Sequence, residues 1–157
     1  DQRRTRLIDF LFIIMPEIPL NYLAIFLAAV VNMVVGMLWY GPLFGNRWKA
    51  LMGFTNESIK TMKMTAAQAM AGGFITALVM SFVLAHDAYV WGIFFGEAVG
   101  SAAFAFQLAF WIWLGYIATT QAGAVLWEGK PWNLFFLNAG YSLVSLVAMA
   151  FVLTYAA

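Results

Sequence analysis

The chain has 157 residues, of which 64% are hydrophobic and 10% charged, with a net charge of +1 and a mean hydropathy of +0.86. A water-soluble domain carries roughly 25% charged residues, and a small one keeps much of its surface wet, so the solvent of this chain must be partly lipid. Near-neutrality excludes a general field for nucleic acid, and the lack of cysteine excludes disulfides, thiolate metal sites and Cys nucleophiles.

Residues 1–20 read as an N-terminal extension or leader, with Met15 of MPEIPLNYLAI as an alternative start. DQRRTRLIDFLFII is basic and then apolar, loosely like a signal peptide, but Asp9 interrupts it and no small-x-small site follows. Beyond it, charged residues delimit four uncharged intervals: Ile18–Asn46, Met64–His86, Ala98–Trp127 and Pro131–Ala157. Each accommodates the about 20 apolar residues that cross a hydrocarbon core of about 30 Å. Spans are expected near Asn21–Tyr40, Ala67–Ala85, Gly100–Ala122 and Leu134–Tyr155. These runs are apolar all round, unlike the alternating strands of a membrane barrel, and only a helix satisfies its backbone within one such segment. The expected fold is an all-α polytopic four-helix bundle over 21–157, with a cytoplasmic amphipathic loop at about 41–66.

In the first span Asn32 and Gly36 share a stripe with Ala28 and Tyr40. The exit, LWYGPLFGNRWKALMG, gathers aromatics and cations as a membrane–water boundary does. Trp39 and Tyr40 are expected at headgroup depth, Gly41-Pro42 should stop the helix, and Trp48 should lie in the interface with Arg47 and Lys49 reaching phosphates. Thr55 reads as an N-cap with Glu57 in the first turn of a short helix from Asn56 that runs on into the second span. That span carries Ala69, Gly73, Ala77, Ser81 and Ala85, a small residue at every fourth position, which lets helices approach closely in lipid. His86 is expected at its outer end beside Asp87. As the only histidine in a chain without cysteine, it supplies neither a bis-His haem nor a three-ligand zinc site, so no metal and no cofactor is expected.

The third interval begins with Gly92, Gly96 and Gly100, again four apart and read as packing positions, with Glu97 beside them as a candidate ionisable group. Gln107, Leu114 and Gln121 follow at sevenfold spacing, hence on roughly one face, with Trp111 and Trp113 near mid-bilayer. Trp127 and Trp132 read as interfacial anchors around the turn that holds Glu128 and Lys130. In the fourth span Asn138, Tyr141, Ser142 and Ser145 share a face. Turning these surfaces together gives an expected polar seam of Asn32, Gln107, Gln121, Asn138, Tyr141 and Ser142. LWYG at Leu38–Gly41 returns as LWEG at Leu126–Gly129, which allows a 2+2 parallel repeat.

Arg47, Lys49, Lys60, Lys63 and Lys130 all fall in the loops after the first and third spans, which predicts an N-out, C-out chain. The bias weakens if Arg3, Arg4 and Arg6 belong to the mature protein.

The N-Y-L-A start at Asn21, the L-W-Y-x-P-L-F-G-x-x-W exit at Leu38–Trp48 and the N-A-G-Y motif at Asn138–Tyr141 resemble a family of small bacterial inner-membrane proteins catalogued only as a domain of unknown function. The resemblance runs from Asn21 to the C-terminus. It implies a four-helix integral membrane protein and carries no activity, substrate or cofactor. The family pattern often has a histidine directly after N-A-G-Y, where this chain has Ser142; that argues against a metal or proton site there. With no phosphate loop, metal-binding helix or dinucleotide fingerprint, the reading is a non-enzymatic inner-membrane bundle in contact with membrane lipids that forms a homo-oligomer or joins a membrane-protein partner. The alternative is a small-solute or ion transporter or channel using the polar seam.

Overall fold

Asn21 opens the first span by accepting the Ala24 N–H on its side-chain oxygen at 3.1 Å, a satisfied helix start. The computed structural model describes residues 18–96 and 100–156, so most of the expected extension, and Glu97, lie outside the described residues. Among the described residues every regular element is helical, and four helical runs are long and apolar enough to cross a membrane: Tyr22–Leu43, Ala66–Phe95, Ala102–Leu126 and Trp132–Tyr155.

Helix α1 (Tyr22–Leu38) is broken at Gly41-Pro42, as expected: Gly41 leaves the helical region at φ −101°, ψ −106°. The Phe44 N–H donates to the Trp39 carbonyl at 2.9 Å across this kink, a wide i→i+5 closure that accommodates a proline without a donor and carries the apolar run to Leu43 before the chain leaves. Two short helices fill the amphipathic loop, α2 (Gly45–Met52) and α3 (Asn56–Lys60). Thr55 caps α3 as its sequence suggests, in a reciprocal box with Ser58. Helix α3 does not run on into the second span, because Thr65 starts a separate helix with its own capping box to Gln68.

That helix, α4 (Ala66–Phe95), has 30 residues and passes straight through His86 and Asp87. The expected end at Ala85 rested on charge alone, yet nothing in HDAYVWGIFF breaks a helix, and the His86 ring bonds the Phe82 carbonyl one turn back at 2.7 Å. The breakers come later. Gly96 at φ 55° ends α4 and Gly100 at φ 94° turns the chain, so both serve the connection and neither packs helices.

Ser101 caps α5 (Ala102–Ile112), a second π turn covers Trp113–Ala118, and α6 (Thr119–Leu126) completes the third span. Carbonyls at Gly115 and Tyr116 are taken by the Thr119 and Thr120 hydroxyls, which keeps the wide turn hydrogen-bonded inside an apolar segment. Helix α7 (Trp132–Tyr155) follows Pro131. LWYG and LWEG take different forms: the first lies at the start of the π turn, and the second ends α6 with Trp127 88% exposed and Gly129 at φ 68°.

Helix α1 packs between α4 and α7, and α5 lies on the other flank of α7. Their shared core is Ala24, Ile25, Ala28, Phe104, Ala105, Leu108, Ala109, Leu146, Met149 and Ala150, in which alanines bring backbones close and larger side chains fill between. At this end the Asn21 amide also donates to the Ala156 carbonyl at 2.6 Å, tying the start of the first span to the close of the fourth. Helices α4 and α5 meet there, with the Phe95 and Phe104 rings 5.7 Å apart. Towards the other end α4 and α6 are not packed against one another.

Candidate functional site

The polar side chains of α1 and α7 meet at two levels. At the inner level Asn32, 8% exposed, accepts the Tyr141 hydroxyl at 3.2 Å and the Ser145 hydroxyl on the same oxygen. Gly36 makes room for this pairing, since a Cβ there would stand 3.2 Å from the Tyr141 hydroxyl oxygen. Beyond Asn32, towards Asn21, the bundle is the dry alanine-rich core.

Nearer the amphipathic loop, the Tyr40 hydroxyl donates to Asn138 Oδ1 at 3.0 Å. The Ser142 hydroxyl donates to the Asn138 carbonyl at 3.0 Å and accepts from Gln121 Nε2 at 2.9 Å. Gln121 Oε1 is buried and has no hydrogen-bond partner among the described residues. Asn32, Gln121, Asn138, Tyr141 and Ser142 therefore form one connected region. Gln107 does not join it.

The reason is the π turn at Trp113–Ala118. Sevenfold spacing keeps one face only on a continuous α-helix, and the extra residue of a π turn rotates everything after it. Gln121 consequently faces α7, whereas Gln107 shares a separate cavity with Asp87 and Trp91 of α4.

Trp39 and Tyr40, at the exit of the first span, are half-buried and pack against α7. The Trp39 indole N–H donates to the Leu137 carbonyl at 3.2 Å and its ring lies 4.6 Å from Phe44. Tyr40 packs on Tyr141 at 4.9 Å and on Trp48 at 5.5 Å. An indole or phenol at this depth needs a polar partner, and α7 supplies both. Trp113 repeats the device, donating to the Ala139 carbonyl at 2.8 Å, while Trp111 remains exposed. Gly45 permits the fold of the exit, because a Cβ there would meet the Tyr40 carbonyl at 2.5 Å. The L-W-Y-x-P-L-F-G-x-x-W and N-A-G-Y motifs are thus two halves of one interlock.

Around this interlock lies an open groove of about 730 Å³. Gln121, Asn138, Tyr141 and Ser142 form its polar floor, and Met33, Met37, Trp48, Met52, Ala69 and Met70 form its walls. The small-residue stripe of α4 divides at this point. Ala77 and Ser81 are buried and Gly73 faces Met33, with a Cβ there 3.7 Å from the sulfur, but Ala69 is exposed on the rim. Ala66 and Gly72 are exposed within about 60° of it around the helix, while Ala67 and Ala71 are exposed on the opposite face. Arg47 borders a smaller cavity with Trp39, Phe44 and Asn133, Lys49 is half-buried on α2, and Trp132 is exposed.

No set of three or more His, Cys, Asp or Glu side chains that could hold a metal occurs among the described residues. A family model described as a protein of unknown function (DUF1761) matches residues 23–154. No curated protein and no solved structure matches the chain.

Proposed function

Since the chain belongs to the DUF1761 family of proteins of unknown function, we propose its role from geometry: a non-enzymatic accessory bundle that seats a transmembrane helix of a second copy or of a larger complex in the groove beside α4. The observation that carries this reading is the pairing of a half-open groove with exposed small residues on its rim. Ala69, with Ala66 and Gly72 within about 60° of it around the helix, leaves backbone within reach of a neighbour, which is how helices associate where lipid removes the hydrophobic drive. The described cations, Arg47, Lys49, Lys60, Lys63 and Lys130, all lie at the groove end, so the groove opens on the cytoplasmic half of a bacterial inner membrane, with the Asn21–Ala156 end outside.

The absence of native cysteine makes the test direct. Ala69→Cys in native membranes should give an oxidant-dependent cross-linked dimer or a discrete larger adduct, while Phe136→Cys, exposed on α7 away from the groove, should not. A protein that stays monomeric in nanodiscs and cross-links no better through Ala69→Cys than through Phe136→Cys would overturn the reading. A C-terminal reporter should read outside the cytoplasm.

Solute transport is the second reading, favoured by the polar floor of the groove. It requires liposome flux that Gln121→Leu and Asn138→Leu abolish. The dry core beyond Asn32 weighs against it.

A further inference from the structure

At the opposite end from the groove, α4 and the third span border a half-open cleft of about 270 Å³, whose Trp91, Phe95, Trp111 and Tyr116 side chains are also exposed on the outside of the bundle. Its polar groups are Asp87, Gln107 and the Tyr116 phenol, and its walls include the rings of Trp91, Phe95 and Trp111. We infer that this cavity is a site for a quaternary ammonium group, held by the Asp87 carboxylate and the faces of the surrounding aromatic rings.

Three observations converge on that chemistry. Asp87 is the one Asp, Glu, Lys or Arg side chain inside the four described spans, and an acid in such a position marks a site that meets a cation. The described lysines and arginines cannot be that cation, because all lie at the groove end, about 20 residues of helix away from Asp87 at 1.5 Å per residue. His86, its neighbour in sequence, is engaged with the Phe82 carbonyl.

The walls choose the kind of cation. A small hydrated metal ion needs six or more oxygen ligands, and this cavity offers one carboxylate, one carboxamide and one phenol among carbon. Aromatic faces instead attract a bulky, weakly hydrated cation through the ring quadrupole, most strongly with indole, and two indoles are present. The size agrees. The cavity is below the roughly 300–1,000 Å³ of drug-sized sites and suits a short tetraalkylammonium group.

Depth identifies how such a group arrives. Asp87 lies about 32 Å along α4 from Ala66, close to the thickness of a hydrocarbon core, hence near headgroup level on the Asn21–Ala156 side. The cation can be free in the aqueous phase there or can be the trimethylammonium headgroup of a lipid.

The test titrates the purified full chain with tetraethylammonium, followed by tryptophan fluorescence, in nanodiscs of phosphatidylglycerol with phosphatidylethanolamine and in nanodiscs with the same share of phosphatidylglycerol but phosphatidylcholine in place of phosphatidylethanolamine, so that surface charge is matched. Saturable binding in both disc types with equal affinity assigns the site to free cations. Binding at least about tenfold weaker in choline-containing discs assigns it to the lipid headgroup. In either case Asp87→Asn should weaken tetraethylammonium binding by about tenfold or more, Trp91→Leu should weaken it and Trp91→Phe should preserve most of it. Gln121→Leu, at the other end, should leave it unchanged. Should Asp87→Asn not fold, the Trp91→Leu and Trp91→Phe pair decides alone. The inference is overturned if tetraethylammonium does not saturate in the discs without phosphatidylcholine, or if its affinity is the same in the Asp87→Asn or Trp91→Leu variants as in the parent.

Discussion

The ring of Trp39 lies so close to Gly140 that a Cβ on the glycine would stand 3.3 Å from Cζ2. The contact joins the exit of the first span to the third turn of the fourth, about one turn beyond the Leu137 carbonyl that the same indole bonds. Gly140→Ala should cost about 1 kcal/mol, because the indole must shift. Gly140→Leu should cost about 2–4 kcal/mol, because the ring must leave and its N–H loses its acceptor. Reversible unfolding in mixed detergent micelles measures both. Equal stability of the leucine variant and the parent would refute the interlock.

Asn32 is the acceptor on which two α7 hydroxyls converge. A double-mutant cycle of Asn32→Leu with Tyr141→Phe should give a coupling energy of about 0.6–1.7 kcal/mol, the range for hydrogen bonds between membrane helices. Additive effects would mean that the Tyr141 hydroxyl contributes nothing through Asn32.

Gln121 differs, since its amide donates to Ser142 while its buried oxygen has no partner in the protomer. Gln121→Leu removes one modest bond and one unmet acceptor. Its expected effect on protomer stability is within about 1 kcal/mol of zero. A large loss of protomer stability would assign Gln121 to the internal core instead.

Asn21 has two separable tasks. Asn21→Asp keeps the acceptor that caps α1 and loses the donor to Ala156, whereas Asn21→Ala loses both. Hydrogen exchange at the Ala24 amide should accelerate in the alanine variant and stay slow in the aspartate variant. The cap itself is worth about 1 kcal/mol of helix stability. Equal acceleration in both variants would show that the link to Ala156, not the cap, holds the helix start.

Four spans were readable because hydrocarbon thickness imposes a length and a composition that leave little choice. Thr55 was readable too, as a cap needs only its own side chain and three residues after it. Gln107 was misassigned because one π turn, which leaves no mark in a run such as WLGYIA, changes the face of everything beyond it. The packing of Trp39 and Tyr40 on the fourth helix is not legible in their own stretch, because aromatic side chains at the end of a span serve equally as boundary anchors and as packing. The signal that points to it is the glycine of N-A-G-Y: a residue with no side chain inside a span leaves room for something large to lie on it. The expected helix end at His86 and Asp87 rests on charge, and charge alone does not end a helix. Gly96, the first residue after Asp87 at a left-handed φ, is where the helix ends.

Helix α4 is about 45 Å long by its 30 residues, while α7 reaches about 36 Å with 24, and a hydrocarbon layer is about 30 Å deep. The longer rod must lean or protrude, and the amount depends on how thick the surrounding lipid is. Since α4 is one wall of the groove and touches the third span only at its far end, lengthening or shortening the acyl chains of the host lipid alters its inclination, and with it the width of the groove's mouth. If the groove seats a neighbour as proposed, that seating would respond to bilayer thickness, a mechanical input that reaches the groove without any ligand.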